Sequence, residues 1–131
     1  MNDLSHRADI KILVDTFYNR IVKHTELGPI FNDIMKVDWD HHLPKMYDFW
    51  ESIVFGAGAY KGNPMLVHFG INRQIPLLPH LFDEWLKLWH ETVDELYQGE
   101  NAEAAKTKAK NIAGLMSYKM DMDRRLNPKE K

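Results

Sequence analysis

The sequence predicts one all-α domain, on three observations. Apolar residues recur at three- and four-residue spacings through most of the chain. No stretch alternates with the period of two that a strand needs. The glycines and prolines cluster between the periodic segments, where turns belong. At 131 residues the chain is long enough for a single substantial core. No internal repeat or linker composition divides it.

The first helix is read from Ile10, Leu13, Val14, Phe17 and Ile21, which form one stripe, with Asp9 expected as its N-cap and an end near His24. "ELGPIFN" follows, with Gly28 and Pro29 punctuating a short apolar turn. The second helix has Asp38 as the expected cap and carries Trp39, His42, Leu43, Met46, Phe49, Trp50 and Ile53 on one face. Pro44 either sits in its first turn or kinks it. "GAGAYKGNP" is expected to be a loop. Asn63 and Pro64 then read as N-cap and first position of a short helix ending at Gly70. "INRQIPLLP" is expected to be extended, because Pro76 and Pro79 interrupt any helix. A long helix from about His80 to Gln98 presents Phe82, Trp85, Leu86, Trp89, Val93 and Leu96, and Gly99 stops it. The last helix, from Asn101 to about Leu126, has a weaker stripe of Ala105, Ala109, Ile112 and Met116. Fraying is expected at about residues 1–4 and 127–131.

Composition excludes several function classes. Lys and Arg number 17 against 19 Asp and Glu, a net charge of −2 with no basic run, so nothing asks for nucleic acid. No stretch reaches the roughly 18 uninterrupted apolar residues of a membrane span. "MNDLSHRADIK" lacks a signal-peptide layout, and a cytoplasmic location is the simplest expectation. The chain has no cysteine, which removes disulfides, thiolate nucleophiles and thiolate metal ligands.

Motifs remove more. "GAGAYKG" follows a helix and lacks the Lys-Ser/Thr ending of a phosphate loop, and "HETVD" lacks the second histidine of a zinc-protease helix. No Glu-x-x-His pair of a di-iron bundle occurs. The seven histidines and the four Trp, five Tyr and six Phe remain. They fit either a small core filled with rings or a site with flat apolar walls and imidazole.

Periodicity separates the adjacent histidines. His42 has Met46, Phe49, Trp50 and Ile53 on its helical face, whereas His41 has Lys45, Asp48 and Ser52. His42 therefore faces the core and His41 water. His68 lies in the apolar "NPMLVHFG", where an imidazole needs a hydrogen bond, a metal or solvent. It reads either as a satisfied core or surface histidine or as a ligand. Four residues after Pro64, its ring N–H can reach a free carbonyl of the previous turn, the kind of bond that orients a ligating imidazole. Tyr18 and Trp85 each place a polar group within an apolar stripe, and each alone is more often core than site.

In order and spacing, "TFYNRI", "LGPIFN", "WDHHLPKMYDFW", "GAYKGNPMLVH" and "FDEWLKLW" resemble the group III truncated haemoglobins, from about residue 9 to about 120. The resemblance implies a globin-like, two-over-two helical sandwich around a b-type haem. By that resemblance His68 is the proximal iron ligand, and Tyr18, His42 and Trp85 are the distal residues that stabilise or gate the ligand. Phe31 packs on the haem, Phe17, Met46, Phe49, Met65 and Phe82 line the pocket, and Lys45 is a propionate partner. The implied activity is binding of O2, NO and CO, with NO dioxygenase or peroxidase-like chemistry if an external reductase supplies electrons. The alternative, from a different class, is a haem-free helical interaction or stress-regulatory module on the same scaffold.

Overall fold

The computed structural model describes residues 1–56, 62 and 64–127, except the side chains of Met65 and Leu66. Among the described residues six α-helices follow one another: α1 Arg7–Ile21, α2 Leu27–Pro29, α3 Trp39–Phe55, α4 Pro64–Gln74, α5 Pro79–Leu96 and α6 Glu100–Leu126. α2 runs directly into a π-helical turn, Ile30–Ile34. No strand occurs among the described residues. The expected loop at "GAGAYKGNP" and the expected cap Asn63 fall almost wholly outside them, as does fraying at 128–131.

α1 packs on α3, α5 packs on α6, and the two pairs meet through α1 against α5 and α3 against α6. That is the expected two-over-two sandwich. Its centre follows the stripes read from sequence: Ile10, Leu13, Val14, Phe17 and Ile21 of α1 are fully buried, as are Trp89 and Val93 of α5. The weak stripe of α6 is buried because its small residues suit close packing. Ala105 and Ala109 are fully buried, and Trp89 Nε1 donates to the Ala105 carbonyl at 3.2 Å. Among the described residues no helix is long and apolar enough to cross a membrane.

Three local expectations are corrected, and of the two placements open for Pro44 the first-turn one is excluded. His6, not Asp9, occupies the N-cap of α1, while the Asp9 carboxylate accepts from the Ser5 amide and hydroxyl, both at 3.0 Å. Pro44 lies inside α3, beyond its first turn. α4 continues past Gly70 to Gln74, so the start of "INRQIPLLP" is helical and only its later part is extended. Burial of Ile71 and Asn72 against the rest of the fold outweighs the glycine's weak propensity. The N-terminus is tied down rather than frayed at residues 2–4. Leu4 is fully buried, and the Asp3 carboxylate caps α6 by accepting from the Asn101 and Ala102 amides at 2.9 and 2.8 Å. Gly99 makes this possible: with φ +146° it sits where a Cβ would come within 2.4 Å of the Asp3 side chain.

Candidate functional site

A cavity of about 320 Å³ opens between the two helix pairs. Its size falls in the range of small-ligand and cofactor sites. Every helix contributes: Tyr18 from α1, Leu27 from α2, His42, Lys45, Met46 and Phe49 from α3, His68 from α4, Phe82 and Trp85 from α5, and Met116 from α6. Ile30 and Phe31 enter from the π-helical turn. Such turns often mark functional sites, since the extra residue re-aims neighbouring side chains.

His68 is the chemically decisive member. Its Nδ1 lies 2.6 Å from the Pro64 carbonyl oxygen, one turn earlier. A carbonyl only accepts, so Nδ1 carries the proton and Nε2 keeps a free lone pair. Burial lowers the His68 pKa and the Pro64 bond partly opposes that shift, which leaves the ring neutral at neutral pH. A neutral, oriented imidazole is a ready metal ligand.

His42 shows a different state. Its Nε2 is buried and has no hydrogen-bond partner among the described residues. Burial, aided by the nearby Lys45 ammonium, lowers its pKa as well. The ring stands edge-on to Tyr18 at 5.4 Å and to Trp39 at 5.6 Å. A buried nitrogen without a partner costs about 1–3 kcal/mol, so any group that hydrogen-bonds to it recovers that cost. His41 is exposed, as the periodicity required.

Tyr18 is 7% exposed, and burial pushes its phenol well above the ordinary value, so it remains a protonated donor. Its ring touches Phe31 at 5.9 Å and Trp39 at 5.4 Å. Trp85 lies parallel to Trp89 at 6.1 Å, and Trp89 stacks on Trp50 at 4.1 Å. Trp50 and Trp85 thus reach the cavity from a common buried base.

The cavity gathers nine of the eleven residues singled out from sequence; the side chain of Met65 lies outside the described residues, and Phe17 takes another place. Phe17 does not line the wall. It is fully buried one layer behind, edge-on to Trp85 at 5.5 Å and to Trp89 at 4.9 Å. On α1 the next residue, Tyr18, takes the wall position. Sequence reasoning also missed wall residues. Trp50 was visible on the His42 face, whereas Leu77 lies in a segment without periodicity.

These residues fit a haem. Among the described residues no group of three or more His, Cys, Asp or Glu could hold a bare metal ion. A single prepared imidazole in an apolar slot suits a metal whose other ligands come from a macrocycle. The partnerless His42 Nε2 and the Lys45 side chain within the same cavity provide polar points for such a group.

Comparison with known proteins agrees. The family model for bacterial-like globins matches residues 2–119. The group 3 truncated hemoglobin ctb of Campylobacter jejuni is 31% identical over 111 residues, covering 82% of this chain and 85% of that protein. The crystal structure of a group III truncated hemoglobin from Campylobacter jejuni superposes with a TM-score of 0.80 at 30% identity, covering 92% of this chain and 95% of that one. The chain is therefore a bacterial-like globin, a member of the group III truncated haemoglobins.

Proposed function

We propose that this globin carries b-type haem with His68 as the iron ligand and binds O2, NO and CO. The absence of cysteine leaves no thioether attachment, which favours haem b. Haem iron held by one neutral imidazole supplies an open coordination position for a diatomic ligand. The carrying observation is the His68–Pro64 bond, which directs the free Nε2 lone pair toward use as a ligand.

The chain's own groups account for the rest of the site. Phe31, Met46, Phe49 and Phe82 form apolar walls, and Phe17 backs Trp85. Lys45 offers a cation to a propionate. Tyr18 O–H and Trp85 N–H are the donors available to the outer atom of a bound ligand, and His42 either donates or gates. Strong hydrogen bonding slows release, which suits NO or peroxide redox chemistry with an external reductase better than bulk O2 transport. A cytoplasmic setting supplies such reductants.

Purification with haem supplied, followed by absorption spectra of the ferric, ferrous and O2-exposed forms, tests the proposal. A Soret band that disappears in His68→Ala is the expected result. A colourless, stably folded wild type overturns it and favours a haem-free helical interaction or stress-regulatory module.

A further inference from the structure

Between α1 and α2, His24 has both ring nitrogens engaged. The backbone N–H groups of Glu26 and Leu27 both donate to His24 Nδ1 at 3.1 Å. Two donors at one nitrogen require its lone pair, so the ring proton sits on Nε2. That nitrogen lies 3.3 Å from the carboxylate of Glu84 on α5, the residue before Trp85. His24 thus begins the turn that carries Leu27, Ile30 and Phe31 and fastens it to the helix that carries Leu81, Phe82 and Trp85. All six line the cavity.

Two further contacts show that this junction is built tightly. His80, in the first turn of α5, bonds the Glu26 carboxylate at 2.7 Å, so each segment gives one histidine and one glutamate to the other. Gly28, whose amide donates to the His24 carbonyl at 2.9 Å, passes so close to α1 that a Cβ would lie 2.6 Å from the Val22 oxygen. The turn is thus packed against the end of α1 and joined to α5 at two points.

We infer that His24 is a positioning residue: in its neutral, Nε2-protonated form it sets the distance between the Phe31 wall and the Trp85 wall, and so controls ligand release. The inference rests on the haem reading for its effect on ligands. It does not rest on it for the bonds themselves. His24 touches no ligand and acts only through the two walls.

Isosteric substitutions separate the contacts at its two ring nitrogens. Asparagine can place an oxygen where Nδ1 lies and cannot reach Glu84, while glutamine can reach Glu84 and gives up the Nδ1 position. On the haem-free protein, NMR of wild type is expected to show the Nε2–H tautomer of His24 and slow exchange of the Glu26 and Leu27 amides. That protection should survive in His24→Asn and fall at least tenfold in His24→Gln. On the haem-loaded protein, His24→Asn and Glu84→Leu should each shift the stretching band of bound CO and change the O2 dissociation rate at least threefold. Because both remove one bond, the double variant should match the singles rather than add to them.

An Nδ1–H tautomer, unprotected amides in wild type, or wild-type ligand kinetics in both single variants would overturn the inference. Additive effects of the two substitutions would overturn it too, since they would show independent structural damage. A wild type with no Soret band removes the haem reading and the claimed control of ligand release, while the NMR measurements still decide whether His24 Nδ1 accepts from the two amides with its proton on Nε2.

Discussion

The His68 ring donates from Nδ1 to the Pro64 carbonyl 2.6 Å away, while the His42 ring, in the same cavity lining, leaves its Nε2 without a partner among the described residues. One imidazole is prepared and the other is waiting. Both have pKa values lowered by burial, with Lys45 adding to the effect at His42 and the Pro64 bond opposing it at His68.

This asymmetry with the unfolded chain predicts a pH dependence. Unfolded imidazoles take up protons near their ordinary value of about 6.5, and the folded ones do so only at lower pH. Between those values the unfolded chain holds more protons, so stability rises with pH. The haem-free protein should hold this contribution fully above about pH 6.5 and lose it as pH falls below that value. Urea midpoints measured from neutral to mildly acid pH check it. A His42→Leu/His68→Leu double variant with the same acid slope as wild type would refute the assignment.

Relieving the partnerless nitrogen should stabilise the haem-free fold. His42→Leu removes a desolvated polar atom among apolar neighbours, and a gain of about 1 kcal/mol is expected in urea unfolding. A loss of that size would mean that His42 Nε2 is satisfied in solution.

Tyr18 and Trp85 should govern ligand release. A hydrogen bond to a partly charged acceptor contributes about 1.5–3 kcal/mol, or roughly tenfold to a hundredfold in rate. Tyr18→Phe and Trp85→Phe are each expected to change the O2 dissociation rate by well over tenfold in stopped-flow measurements. Rates equal to wild type in both variants would remove them from the distal role.

Asn72 predicts a stability effect on the His68 side of the cavity. It is 4% exposed and one turn beyond His68 on α4. Its amide donates to the Met120 carbonyl and the Asp123 carboxylate at 3.0 and 3.1 Å, and its oxygen accepts from the Leu77 amide and Arg124 at 2.9 and 3.0 Å. Asn72→Ala leaves buried groups unpaired and should cost about 1–3 kcal/mol in denaturant unfolding. An unchanged midpoint would show that water replaces the amide without loss.

Much of this site was readable in the chain, because helical periodicity sorts side chains by face. It sent His42 inward and His41 outward, and the four-residue step from Pro64 to His68 anticipated the carbonyl bond. The misreadings have different causes. Gly70 looked like a helix end because local signals carry no information about what packs from elsewhere, whereas Phe17 was put on the wall by the family resemblance although its own periodicity had placed it on the core stripe of α1.

The amino-acid sequence by itself determined the helices, the face each presents and the family to which the chain belongs. The helices and their faces follow from spacing along one segment at a time, and the family from a resemblance carried by five motifs taken together. Only the tertiary structure decided that Asp3 closes the end of α6, that Asn72 ties α4 to α6, and that His24 fastens the Phe31 turn to the helix of Trp85. Each is a bond between residues distant in the chain, and its existence depends on where the packed cores bring two backbones together.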